Sequence, residues 1–542
     1  MKIVDNPRRD INVPAIEGLR LAGLGGVRRS GPAELTVDAG PAGPDDGPAP
    51  SEATALAISP RIFATPEVLV ELGAVQQLAR LARLDALAQA QAEALRRAGQ
   101  SELAARYERV RVVDVVGTPD LHRGDAGVAI GTVLGVDGAV MPLGPGPDIG
   151  CGMRLITTNL TPADLDLPAL AEGLRADLFL GRRDIALSRS QRLALLTEGL
   201  MGLFDAEDTR RGSGAAATPG SLWARFDRDE TDWELDHCVD QGSLPGDPGL
   251  FMDDFVPATR DPITGTIGRG NHFLELQEVV EVVDRATAYA WDVRERQVVA
   301  TIHTGSRGLG RAVGAHYRDR ARESHPAGLR HPATETYLLP TGGDPDEPTL
   351  GDRYLRAMGA AGNFAYANRF FLGLIVRKNL RLQRPGATTR LLYDMPHNFV
   401  AVERQRGRAI TVHRKGATRS FGPTAMSLAG TMQASTGQPL IVPGSMGAAS
   451  WLLAGVDGNE HALMSACHGA GRAKTRGRMG GLSDQEFDAS LQGTLLVYPG
   501  LERPKGEAPN AYKPIGPVID SVAAAGLARP VARLRPLLTC KE

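Results

Sequence analysis

The sequence predicts an α+β, mixed α/β fold in one large domain. Three observations carry that reading. The chain has 542 residues, enough for a large core in one big domain or a few smaller ones. Short β-branched runs separated by glycines (VRVVDVV, GVAIGTVLG, AVMPLG, RLITTNL) have the composition of strands. Leucine-rich stretches at helical spacing alternate with them, and no internal repeat is present.

Taken in order, residues 31–53 (GPAELTVDAGPAGPDDGPAPSEA) are rich in Gly, Pro, Ala and acid, which predicts a flexible linker or surface excursion. It falls within an N-terminal extension, 1–60, followed by the main domain, 61–542. Residues 66–110 lack proline after the Thr65-Pro66 start and predict one or two amphipathic helices. Further helices are expected near 161–205 and 351–383, interleaved with strands VVATIHT, TRLLYDM and GTLLVYP. Polar Gly/Pro-rich insertions at 207–221 and 324–352 read as loops.

Charge excludes little but orders the possibilities. With 61 Lys+Arg against 63 Asp+Glu, the net charge of −2 argues against a broadly basic nucleic-acid coat while leaving room for a local basic groove. The opening MKIVDNPRRD lacks an apolar signal core, and no run of about 18 apolar residues could span a bilayer. A cytoplasmic protein with no membrane partner is expected. The four cysteines are far apart with no C-x-x-C pair, so neither a disulfide framework nor a zinc knuckle is expected.

PGPDIGCGM, residues 145–153, is the conspicuous stretch. Its glycines and prolines forbid a regular helix or central strand, yet it presents Asp148 and Cys151 on a stiffened turn. Of eleven histidines, five sit in comparable loops: His272, His303, His397, His413 and His468. Any one alone reads as a core histidine satisfied by backbone; five together point to a metal or phosphoryl-transfer site. A thiolate adds a ligand able to serve two metal ions at once. Standard nucleotide motifs do not compete: no lysine follows a glycine, which excludes a P-loop, GSRGLG lacks dinucleotide context, and KTRG (474–477) is a four-residue match to a loose pattern.

The motifs PDIGCGMR, GNHFLE, HTGSRGLG, PHNF, HRKGATR, PGSMG and SACHGAGR, in this order, resemble those of the RtcB RNA ligases, as do PDLHRGDAGVAIGTV (119–133) and the closing ARLRPLLTCKE. The resemblance runs from about residue 112 to the end. It implies a ligase that uses GTP and two Mn²⁺ ions to join an RNA 3′-phosphate or 2′,3′-cyclic phosphate to a 5′-hydroxyl through a histidine–GMP intermediate, in tRNA splicing or RNA repair. It further implies an RtcB-like domain with a metal-containing cleft, RNA as partner (tRNA halves or cleaved RNA), and an archease-type activator found with some members. Carried over motif by motif, Asp148, Cys151, His272, His303 and His397 become metal ligands, with Cys151 bridging, and His468 the guanylylated nucleophile. Asn271, Glu275, Asn398, Ser445, Gly469, Ala470, Gly471 and Lys541 fall where the family contacts GMP, and Arg307 and Lys415 where it contacts phosphate. The donor set suits a borderline metal such as Mn²⁺ or Zn²⁺ better than Mg²⁺.

Two departures stand out: Arg269 lies in the glycine-rich turn before Asn271, and the sequence given closes Cys540-Lys541-Glu542 where glycine is the familiar last residue. Two other classes stay open at the level of sequence. A metal-dependent phosphoesterase could use the same Asp/Cys/His centre on cyclic or terminal phosphates without ligation. A non-catalytic RNA-binding paralogue would lose metal ligands, and all five are present.

Overall fold

Two mixed sheets and a long helix organise the molecule. The computed structural model describes residues 10–12, 26–38, 58–124, 127–183, 185–206, 230–251, 263–332, 334–405, 407–500 and 502–542. Among these, the first sheet runs in the order Thr389–Pro396, Gly152–Thr158, Val298–Thr304, Phe273–Val282, Ala528–Cys540, Ser450–Gly455, Pro439–Val442, with Leu495–Val497 parallel to Ala528–Cys540. The second runs Asn398–Gln405, Arg408–Lys415, Ile130–Asp137, Arg111–His122, Arg61–Phe63, Glu34–Val37, Val27–Gly31. The predicted strands VVATIHT and TRLLYDM occupy 298–304 and 389–396. Their apolar side chains are buried because helices cover the sheet, which is why they read as continuous rather than alternating runs.

The covering helices include Leu167–Phe179, Arg189–Asp205 and Leu350–Gln383. The last begins in a capping box: the Thr349 hydroxyl accepts from Asp352 N, and the Asp352 carboxylate accepts from Thr349 N at 3.0 Å. That signal, T-x-x-D before a long alanine- and glycine-rich run, fixes the start of a 34-residue helix whose middle is buried almost all round.

Several expectations change in detail. Of the linker expected over 31–53, Glu34–Val37 is instead a strand paired with both Val27–Gly31 and Arg61–Phe63, and 39–53 lies outside the described residues. Leu35 and Val37 bury two alternate positions of that strand, a period-two signal masked by the surrounding Gly and Pro. The second sheet thus runs across residue 60, the expected border of the extension. The segment 66–110 makes three helices, Leu72–Leu81, Leu84–Arg97 and Ser101–Glu108, and Gly99 at φ +78° ends the second. The insertion at 207–221 lies outside the described residues, and 324–352 is loop apart from Leu339–Pro340 and the start of the long helix.

Register in the first sheet places the chemistry. Pro396 pairs with Gly152, Gly152 with Thr304, and His303 with Phe273. Because neighbouring strands are antiparallel, two strand beginnings (after Cys151 and His272) and two strand ends (at His303 and before His397) meet at one edge. His397 is the single residue between Thr389–Pro396, an edge strand of the first sheet, and Asn398–Gln405, an edge strand of the second.

Candidate metal centre and nucleotide pocket

At that edge the Cys151 Sγ lies 3.2 Å from His272 Nε2 and 3.3 Å from His303 Nε2. Asp148 Oδ2 is 2.9 Å from His272 Nε2, and His303 Nε2 is 3.1 Å from His397 Nε2. Cys151, His272 and His303 form a buried cluster geometrically able to hold a metal ion, and Asp148 and His397 extend it on either side. Three donor nitrogens, a sulfur and a carboxylate oxygen converge there. The set fits cations of borderline softness.

Electrostatics agree with that fit. Burial, then the neighbouring histidines, hold His303 and His397 well below the usual imidazole range, so both are neutral and their lone pairs are available. Burial pushes the Cys151 thiol far up, and Asp148 beside it adds to the rise. A bound cation inverts that balance by stabilising thiolate directly. Asp148 is pushed up by burial but brought below the usual carboxylate range by His272 and by the Arg307 backbone N–H, which donates to Oδ1 at 2.9 Å.

His468 adjoins the cluster, its ring 4.6 Å from that of His397 and 6.5 Å from that of His303. Its Nδ1 is 2.6 Å from Asp120 Oδ2, while Asp120 Oδ1 accepts from Thr118 Oγ1 at 2.6 Å. Burial raises the Asp120 carboxyl, and His468 and Thr118 more than reverse this, so the group is an anion at neutral pH. A carboxylate on Nδ1–H leaves Nε2 as the basic, unprotonated nitrogen. The strand carrying Asp120 is held in turn by Lys513, whose Nζ donates to Leu121 O at 2.8 Å and Pro119 O at 3.2 Å. Asp120 stands in PDLH, a stretch whose resemblance was visible but whose role was not; only the fold brings it to a histidine 348 residues away.

His468 opens onto a cavity of about 1180 Å³, and Asn271, Glu275, His303, Ser445, Gly469, Ala470, Gly471 and Lys541 line it as well. Glu275 accepts from Thr539 Oγ1 at 2.9 Å and Gln277 Nε2 at 2.8 Å, and burial pushes its carboxyl up to about 7. Lys541, only 3% exposed, donates from Nζ to Gly270 O at 2.7 Å, and burial draws it down to about 8. Glu507, Arg472, Arg476 and Tyr512 form a hydrogen-bonded group in the same wall that the sequence did not single out.

The remaining expected residues lie at the margins. Asn398 accepts from Gly416 N at 2.8 Å and donates to Asp148 O at 3.3 Å, so it links the Asp148 turn to the loop under His468. The Arg307 guanidinium lies where a side chain at Gly268 would collide with it, 3.6 Å from the Glu542 carboxylate; Arg269 is exposed. The Lys415 Nζ donates to Val128 O at 2.6 Å, off the cavity wall. His413 is apart from the cluster: its Nε2 accepts from Met141 N at 2.9 Å and its Nδ1 donates to Leu134 O at 3.2 Å, which is the core histidine satisfied by backbone.

The family model described as tRNA-splicing ligase RtcB matches residues 103–542. The chain belongs to the RtcB family. Relatives include the RNA-splicing ligase RtcB of Mycobacterium tuberculosis, 35% identical over 77% of this chain and 94% of that protein. The tRNA-splicing ligase RtcB of Thermococcus kodakarensis is 34% identical over 78% and 86%. The RNA-splicing ligase RtcB homolog 1 of Entamoeba dispar is 32% identical over 79% of each chain. In this RtcB-family chain, residues ahead of the matched stretch also reach the site. Gln77 clamps Gly124 through both backbone groups, at 2.7 and 3.0 Å, and Glu71 accepts from Arg123 N at 2.8 Å. Among the described residues no helix is long and apolar enough to cross a membrane.

Proposed function

We propose that this RtcB-family chain is a GTP- and Mn²⁺-dependent RNA ligase of the cytoplasm that joins 3′-phosphate or 2′,3′-cyclic phosphate ends to 5′-hydroxyl ends. The observation that carries the reading is His468, held through Nδ1 by Asp120 and set between a five-donor cluster and a nucleotide-sized cavity. The donor cluster alone would serve a hydrolytic centre; a further imidazole, held by a carboxylate and facing a pocket that contains a buried lysine, suits a nucleophile toward a nucleotide.

Asp148, Cys151, His272, His303 and His397 would hold the two Mn²⁺ ions. Ions bound there would supply positive charge beside the phosphate oxygens. His468 Nε2 attacks the α-phosphorus of GTP; the new P–N bond forms as the bond to the bridging oxygen breaks, and pyrophosphate leaves. Asp120 keeps the Nδ1 proton and stabilises the positive charge on the ring. The guanylate then passes to the RNA 3′-phosphate, giving an anhydride and restoring neutral His468, and the 5′-hydroxyl displaces GMP. A nucleotide is consumed because a phosphate monoester offers no good leaving group. A cyclic end is first opened by water to the 3′-phosphate.

The nucleotide lies along Gly469, Ala470 and Gly471, which give backbone N–H groups room beside phosphate oxygens. Asn271, Asn398 and Ser445 contact the GMP unit. Glu275 and the Lys541 ammonium address the guanine base, where a donor selects the carbonyl oxygen that adenine replaces with an amino group. Arg307 and Lys415 serve the RNA phosphate, and an archease-type protein is the expected activator. Incubation with GTP, Mn²⁺ and RNA that carries a 2′,3′-cyclic phosphate tests the reading: covalent guanylylation supports it, whereas hydrolysis of the cyclic or terminal phosphate without any covalent nucleotide returns the phosphoesterase.

A further inference from the structure

Two consecutive residues on the buried face of the long helix hydrogen-bond to each segment that supplies a candidate ligand, to backbone in three of them and to the Asp394 side chain in the other. The Arg369 guanidinium, wholly buried, donates from Nη1 to Gly150 O at 2.7 Å and to Thr304 O at 3.0 Å. Gly150 precedes Cys151, and Thr304 follows His303. Its Nε donates to Asp394 Oδ1 at 2.8 Å, on the strand that leads into His397. Asp394 Oδ2 is also within 3.3 Å of Arg154, three residues beyond Cys151. Asn368, also wholly buried, takes the fourth segment. Its Oδ1 accepts from Gly265 N at 2.7 Å and Thr266 N at 3.2 Å, and its Nδ2 donates to Thr266 O at 3.0 Å and Gly305 O at 3.3 Å. That loop runs on to His272, six residues after Thr266.

The histidines themselves make this arrangement matter. Metal-binding imidazoles are usually aimed by a protein group on the ring nitrogen away from the metal. Here His272 Nδ1 and His303 Nδ1 are buried, and neither has a hydrogen-bond partner among the described residues. Their aim therefore comes from the backbone that carries them. The same helix also seats the Cys151 turn by contact: Gly150 has φ +72°, and a Cβ there would come within 2.8 Å of Ala365 Cβ and 3.0 Å of Gly362 Cα.

We propose that Asn368 and Arg369 are positioning residues for the metal centre, a paired clamp on the Leu350–Gln383 helix that sets the spacing of the ligand-bearing strand ends. The inference rests on the metal-centre reading above. The clamp predicts a specific division of effects. Arg369→Lys keeps a buried charge but loses the fork that joins Gly150, Thr304 and Asp394, and Asn368→Ala frees the 264–267 loop. Both alter coordination geometry more than they alter folding. An ion pair that merely stabilises the core alters folding alone.

Cobalt(II) is the probe, since thiolate-to-metal charge-transfer and ligand-field bands report the sulfur bond and the coordination geometry without any turnover. Metal-free full-length wild type, R369K, N368A and T349A, the last a helix-cap control that touches no ligand segment, are titrated with Co²⁺ and melted in parallel. R369K and N368A are expected to bind Co²⁺ about 10- to 100-fold more weakly, with shifted or weakened bands at saturation, and T349A to bind as wild type does. The proposal is overturned if both clamp variants fold and match wild type in affinity and spectrum, or if T349A weakens cobalt as much as they do. Absence of a thiolate band in wild type would instead remove the metal-centre reading itself.

Discussion

Asp120 and His468 form a pair whose two members do different work, so their substitutions separate. In the proposed reaction His468 is the nucleophile, so His468→Ala, a change in a polar pocket, should abolish covalent guanylylation while the thermal unfolding temperature stays close to wild type. Asp120→Asn keeps the volume but no longer fixes the proton on Nδ1, and guanylylation should slow by about a hundredfold or more with GTP affinity little changed. A single-turnover assay reads both, and an unchanged rate in the asparagine variant contradicts the orienting role. Cys151→Ser replaces a thiolate with a hydroxyl that stays protonated near neutral pH, so Mn²⁺ affinity should fall sharply; full ligation by the serine protein at low Mn²⁺ would make the thiol structural. The base pocket predicts a pH profile. Glu275 acts ionised and is pushed up to about 7, so GTP binding weakens as pH falls through 7. Lys541 acts protonated and is drawn down to about 8, so binding weakens again as pH rises through 8. Measured on H468A, where no covalent step intervenes, the affinity should peak between the two, and Glu275→Gln should remove the acid limb alone.

Among elements, the last strand and the long helix carry distinct expectations. Ala528–Cys540 runs through the middle of the first sheet, so the residues after it are fixed although a chain's last residues usually fray. Deleting Lys541 and Glu542 leaves that strand intact; stability should change little, the GTP concentration needed for guanylylation should rise, and preference over ATP should erode. Unaltered nucleotide dependence would make the tail a bystander. Thr349→Ala opens the capping box and should cost about 1 kcal/mol, read by denaturant unfolding, without touching nucleotide affinity. These elements also show what sequence could and could not disclose. The strand 298–304 and the helix from Leu350 were legible, because an uninterrupted β-branched run and a long helical period are local signals. The cluster Asp148, Cys151, His272, His303 was legible as residue types in glycine-flanked loops and by resemblance. Asp120, Gln77, Asn368 and Arg369 were not: each acts through a partner far along the chain, and an Asn-Arg pair in a helix has no local feature that distinguishes burial from exposure. The strand Glu34–Val37 was hidden for a different reason, four residues being too few to stand out from the glycines and prolines around them.

For the molecule as a whole, the candidate metal centre joins strands that begin or end beside residues 151, 272, 303 and 397, so a bound ion would tie distant parts of the sequence together. Ligands that bind only the folded state stabilise it by mass action; Mn²⁺ at a hundred times its dissociation constant should add about 2.7 kcal/mol, read as a higher unfolding temperature that chelation reverses. The same increment should shrink in Cys151→Ser and persist in His468→Ala, which separates the centre from the nucleophile. The central claim is that His468 carries a guanylate between GTP and RNA. Its most direct test is incubation with GTP labelled at the α-phosphate in the presence of Mn²⁺. The account predicts a covalent label that is labile in acid, stable in alkali, dependent on the metal and absent from His468→Ala. A wild-type protein that binds Mn²⁺ and GTP but takes no label, or a His468→Ala protein that keeps it, contradicts the account.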